Sequence, residues 1–147
     1  MDLHPLLVHF PIALVTVGVI TAWAGRFLPS WESLKESSWL MLWVAAIMAV
    51  PTTITGLIAH EPYEETILHE VIETHQFSAM AATVVLAVVA IWRWRSRRNG
   101  KDVGDSWLYL IIITAIFGLY FFVGSTGGDL VYDYAINVNG VNVLLPE

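Results

Sequence analysis

Four long apolar runs, separated by short polar stretches, set the pattern of this chain. They are Leu6–Phe27, Trp39–Ala59, Phe77–Trp94 and Trp107–Val123. Each is close to the roughly 20 residues that a helix needs to cross a bilayer. A span surrounded by lipid must satisfy its own backbone, so helices are expected rather than isolated strands. The pattern predicts an all-α fold, a four-helix transmembrane bundle of up-down topology. The expected helices cover about 5–27, 38–60, 74–95 and 106–123, in a single membrane domain of 147 residues. The first run has no basic stretch before it and no small-residue cleavage site after it, so it reads as a span and not as a signal peptide.

The links add detail. Pro62 suits the first turn of a helix, where a missing N–H does no harm. A helix continuing from there to Arg95 would be about 50 Å long, more than a membrane needs. Residues 62–73 are therefore expected to form a separate amphipathic helix or a protruding extension. Gly124-Ser125-Thr126-Gly127-Gly128 is expected to break the fourth helix. The rest, 124–147, reads as a tail packed over the mouth of the bundle.

Charge gives the orientation. All seven basic residues, Arg26, Lys35, Arg93, Arg95, Arg97, Arg98 and Lys101, fall at one end. The positive-inside rule makes that end cytoplasmic, with both termini outside. The seven tryptophans, Trp23, Trp31, Trp39, Trp43, Trp92, Trp94 and Trp107, lie toward the same end. Tyr63, Tyr120, Tyr132 and Tyr134 lie toward the other, so the aromatics read as two interfacial belts. The outer end also carries Asp2, Glu61, Glu64, Glu65, Glu70, Glu73, Asp129, Asp133 and Glu147. The expected location is a bacterial inner membrane.

Composition agrees and excludes. Only 14% of residues are charged and 56% are hydrophobic, with a mean hydropathy of +0.65. Soluble domains carry about a quarter charged residues. The absence of cysteine excludes disulfides, thiolate zinc sites and covalent c-type haem. A formal charge of -6 argues against a nucleic-acid partner. No Ser-His-Asp arrangement, phosphate loop or catalytic carboxylate pair is present. An electron-transfer protein is expected rather than an autonomous enzyme.

The candidate chemistry is histidine. His4 and His9 open the first helix, His60 closes the second, and His69 and His75 approach the third. All five belong to the outer end. Histidine at membrane depth is costly without a partner or ligand. His9 is about 7.5 Å deeper than His4, and His75 about 9 Å beyond His69 if one helix holds both. His9 and His75 thus share a level on helices that are diagonal in an up-down bundle. Two facing imidazoles can clamp a b-type haem. The expected axial ligands are His9 and His75. Ser78, Ala79 and Ala82 lie below His75, and Thr53, Gly56 and His60 share a face of helix two. Such small residues make room for a porphyrin, or simply let helices approach.

His4 points about 140° away from His9. A second site, using His4 with His60 or His69, would follow, so one haem b or two is expected. One feature opposes haem: the outer end offers no Lys or Arg to its propionates. The same histidine and carboxylate mix suits Zn, Fe, Mn or Cu ions, and a non-haem metal protein is the alternative. A structural accessory subunit with hydrogen-bonded histidines is the third reading.

Leu3-His4-Pro5-Leu6-Leu7-Val8-His9-Phe10-Pro11-Ile12-Ala13-Leu14 resembles the signature of a bacterial family of small four-helix membrane proteins of unknown function. Thr55-Gly56, His75 and Gly127-Gly128-Asp129-Leu130-Val131-Tyr132 are similar to its other marks. The family's usual Gly-x-Gly-Val ending is replaced here by Asp133-Tyr134-Ala135-Ile136-Asn137-Val138. Some relatives join or neighbour cytochrome modules, so the resemblance implies redox work and a haem, with His4, His9 and His75 as functional histidines. The partners expected are membrane lipid, other subunits of a redox complex, further copies of the chain, and a basic soluble cytochrome drawn to the acidic outer face.

Overall fold

In the computed structural model, residues 3–28, 30–63, 65–136 and 138 are described. The expected tail segment 139–147 lies outside the described residues, as do Asp2, Glu64 and Glu147. Among the described residues the fold is all-helical. The elements are α1 (His4–Leu7), α2 (His9–Phe27), α3 (Glu32–His60), α4 (His69–Arg98) and α5 (Trp107–Tyr132). Short 3-10 turns cover Glu61–Tyr63 and Val103–Asp105. Four helical stretches are long and apolar enough to cross a membrane: His4–Phe27, Glu32–Tyr63, His69–Arg98 and Trp107–Tyr132.

The helices form a ring in which α2 packs on α3, α3 on α4, α4 on α5, and α5 back on α2. Helices α2 and α4 are therefore diagonal. Each helix turns one stripe inward at three- and four-residue intervals. In α2 the buried stripe includes Pro11, Val15, Gly18, Ala22 and Gly25. In α4 it includes Ser78, Ala82, Leu86, Val89 and Arg93. Val15, Ala45, Leu86, Leu110 and Ile113 are almost fully enclosed at the centre. The outward faces are as apolar as the core. Leu6, Ile20, Ile47, Ile58, Val88, Ile111 and Phe121 are all exposed. In water such a surface would aggregate; in lipid it is solvated.

The helices are longer than the hydropathy runs suggest. α3 begins at Glu32 and not near 38, and α4 at His69 and not near 74. Among the described residues no separate helix occupies 62–73: the 3-10 turn ends at Tyr63, a short link follows, and residues 69–73 extend α4 toward the outer end. Tyr63, Leu68, Ile72 and Leu130 close the outer end as a small apolar cluster, joined by Val71 and Ile136. The largest departure is in α5. It runs unbroken through Gly124–Gly128 to Tyr132. Glycine weakens a helix by about 1 kcal/mol per residue in water. Low-polarity surroundings leave a broken backbone no water to bond, and so favour continuation.

The basic end is closed by a lock. Arg93, only 2% exposed, donates from Nε to Asp102 at 3.0 Å and from Nη1 to the Tyr109 hydroxyl at 3.3 Å. Arg97 donates to both Glu36 oxygens at 2.9 and 3.0 Å and to Asp102 at 3.0 Å. α4 ends just before, at Arg98, and Gly100, with a φ of +71°, is the left-handed stop that glycine supplies beyond it. The turn brings Asp102 back beneath Arg93. Burial pushes the Asp102 carboxyl up. The hydrogen bonds from Arg93 and the Gly104 N–H, with the charges of Arg93 and Arg97, outweigh that and hold it below the ordinary carboxylate value.

Candidate functional site

The four inward stripes reach the outer end on two histidines and two glycines. His4 continues the stripe of α2 seven residues before Pro11, and Gly56 continues that of α3 four residues after Thr52. His75 precedes Ser78 on α4, and Gly127 follows Tyr120 by seven on α5. The His4 ring lies directly over Gly56. A Cβ added to Gly56 would meet the His4 Cε1 at 2.8 Å. The His75 ring lies over Gly127, where an added Cβ would meet its Cε1 at 3.0 Å. The two imidazoles come from diagonal parts of the ring, and are close enough for a charge on one to act on the other.

Hydrogen bonds fix the tautomers. The His4 Nδ1 lies 3.0 Å from the Thr52 carbonyl, which only accepts, so Nδ1 carries the proton. The same nitrogen lies 3.3 Å from the Thr55 hydroxyl. For His75, Nδ1 is 2.9 Å from the Thr126 hydroxyl. That hydroxyl donates its own proton to the Val123 carbonyl at 3.1 Å. With that bond made, it accepts from His75 Nδ1–H. The carbonyl contact makes His4 an Nδ1–H tautomer, and the Thr126 contact accommodates the same tautomer in His75, with the lone pair on Nε2. A ring N–H tied to a carbonyl or hydroxyl is the usual support of a metal-bound histidine.

The other sequence candidates fall elsewhere. His9 is exposed on the outward face, its Nδ1 donating to the Pro5 carbonyl at 2.7 Å. It does not join His75, whereas His4 lies near enough for its charge to act on that ring. The reason is register: position 9 lies off the stripe that joins His4 to Pro11 and Val15. His60 and His69 stack on each other, ring centres 5.9 Å apart and planes within 20°. They form the junction of α3 and α4, and His69 Nε2 is 3.9 Å from Glu73. His60 is 8% exposed, and its buried Nε2 has no hydrogen-bond partner among the described residues. Ser78 is buried and donates to the His75 carbonyl at 2.8 Å, so it braces the backbone that carries His75. The space over Gly56 is taken by the His4 imidazole.

Three contributors have no histidine-supporting role in the sequence reading: Thr52, Thr126 and Gly127, the last of which belongs to the family marks. Thr52 does two jobs. Its carbonyl holds His4, and its hydroxyl lies 3.4 Å from the Leu7 carbonyl, whose helical partner is missing because Pro11 has no N–H. Thr126 also lines an outer cleft of about 290 Å³ with Glu70, Thr74, Asp129 and Asp133. The acidic surface thereby begins one side chain away from His75. Replacing Gly56 with alanine is expected to destabilise the fold by about 1–3 kcal/mol through overpacking against His4. Thermal unfolding in detergent, compared with the exposed Gly118→Ala, would measure it; equal midpoints would contradict the close approach.

A haem can be tested against these residues. The donor set fits, because two oriented Nε2 atoms are what bis-histidine ligation uses. Propionates find no cation, since all seven lie at the far end, and must reach water at the outer rim. Among the described residues, no group of three or more His, Asp or Glu side chains could hold a metal ion.

Fold and site together define a four-helix membrane bundle with a histidine pair enclosed at one end. The chain belongs to the family described as predicted membrane protein (DUF2231), whose profile matches residues 1–140. No curated protein and no solved structure matches it.

Proposed function

We propose that this protein is a membrane b-type cytochrome, with His4 and His75 as the axial ligands of a haem at the outer end. The observation that carries the reading is the pair of Nδ1 contacts, to the Thr52 carbonyl and the Thr126 hydroxyl. They support a reading in which each ring would offer Nε2 as the ligating nitrogen. Bound haem would supply a one-electron iron couple. The chain's own part is to orient both imidazoles, to keep Nδ1 protonated, and to shield the site with Tyr63, Leu68, Ile72 and Leu130. Two protein ligands suffice for haem, whereas a structural zinc ion takes four. That difference favours haem over a mononuclear non-haem metal.

The charge pattern supports a bacterial inner membrane with both termini outside. Electron exchange would then occur at the acidic outer face, with a basic soluble cytochrome or a neighbouring subunit. Affinity for such a cytochrome is expected to fall as salt rises; binding indifferent to ionic strength would remove it as a partner.

The deciding experiment is an absorption spectrum of the purified protein, oxidised and dithionite-reduced, with elemental analysis. A Soret band and sharp reduced α-bands are expected. Stoichiometric Zn, Fe, Mn or Cu without a Soret band would replace the haem reading with a metal-ion one. Neither would leave a structural subunit.

A further inference from the structure

The seven cations of the basic end divide into two sets. Lys35, Arg93 and Arg97 are neutralised, by Asp105 at 2.6 Å, by Asp102, and by Glu36 with Asp102. Arg26, Arg95, Arg98 and Lys101 are exposed and form no ion pair among the described residues. Two of this second set lie on exposed indoles. The Arg26 guanidinium sits 4.8 Å from the ring centre of Trp107, which is 52% exposed. The Arg98 guanidinium sits 4.9 Å from that of Trp94, which is 37% exposed.

Both indoles are fixed from behind. Trp107 meets Trp23 edge-on at 6.0 Å, and the Trp23 N–H donates to Thr114 at 2.9 Å. Trp94 stacks on Trp43 at 6.4 Å, and Trp43 on Trp39 at 5.4 Å. Tryptophan settles at the level of lipid headgroups. A guanidinium held over such a ring by cation–π attraction leaves N–H groups available to another acceptor, and its fork matches the two free oxygens of a phosphodiester.

We propose that Arg26–Trp107 and Arg98–Trp94 are two docking sites for anionic phospholipid headgroups. The first lies at the seam of α2 and α5, the second beside that of α3 and α4. Charge sets the selectivity. A zwitterionic headgroup brings its own ammonium toward unpaired arginines, whereas an anionic one does not. Each arginine near the surface is worth about a fivefold preference.

All seven tryptophans lie toward this end, so intrinsic fluorescence reports the lipid found there. The full chain would be reconstituted into phosphatidylcholine vesicles holding acyl-brominated phosphatidylglycerol, or acyl-brominated phosphatidylcholine at the same fraction. Stronger quenching by the brominated phosphatidylglycerol is expected, with a preference of about fivefold at each site. Arg26→Gln and Arg98→Gln should each reduce it, and the double variant should bring the two lipids close to parity. Equal quenching by both lipids in the native chain would overturn the proposal. So would a preference that survives in the double variant.

Discussion

If the proposed haem is bound, alanine at His4 or His75 is expected to abolish its low-spin, six-coordinate spectrum. Alanine at His9 is expected to leave it unchanged. The double variant His4→Ala/His75→Ala should show no Soret band at all. Position and hydrogen bonding distinguish the three histidines. His4 lies on the buried stripe that passes through Pro11 and Val15, and its Nδ1 is tied to α3. His75 is held in the same way from α5. His9 is tied only to Pro5, one turn away on its own segment, and faces outward. Removing one ligand leaves the other, so single variants should retain a shifted, high-spin haem or lose it. Circular dichroism and gel filtration would show whether the bundle remains folded. Loss of the low-spin bands in the His9 variant, with retention in the His4 variant, would return the ligand role to His9.

The exchange of His9 for His4 shows what the sequence carried and what it did not. The four spans, their ring order and the gathering of histidines at one end follow from hydropathy and charge. The inward direction of His4 was also legible. Its spacing from Pro11, Val15, Gly18, Ala22 and Gly25 is the three-and-four repeat of a buried stripe. Depth alone favoured His9, and direction overrode depth. Gly127 and Thr126 were out of reach for another reason. Five residues rich in glycine read as a break in water, yet the backbone there stays helical and carries both to His75. The Thr52 carbonyl has no sequence signature, because any residue could supply it. Arg93 reads as part of a basic loop until its position is set against Ala82, Leu86 and Val89. It belongs to their stripe, and so its charge is buried.

That buried charge makes Asp102 the most sensitive residue at the basic end. Asp102→Ala is expected to destabilise the protein by about 3 kcal/mol, at the low end for breaking a buried pair because the carboxylate is partly exposed. The loss comes less from the missing attraction than from the Arg93 guanidinium, left 2% exposed with only Tyr109 to receive its N–H groups. The double replacement Arg93→Met/Asp102→Leu removes the stranded charge along with its partner. It should therefore be less damaging than Asp102→Ala alone, a non-additivity characteristic of coupled pairs. The sign with pH follows from the lowered carboxyl of Asp102. A carboxyl depressed in the folded state adds stability above its unfolded value of 3.8. That contribution is lost as pH falls through the lower folded value. Native protein should thus lose part of its unfolding free energy below about pH 4, whereas the double variant lacks this component. Denaturant unfolding in detergent across that range would measure both effects. If Asp102→Ala and the double variant proved equally stable, the Arg93 charge would not be the source of the loss.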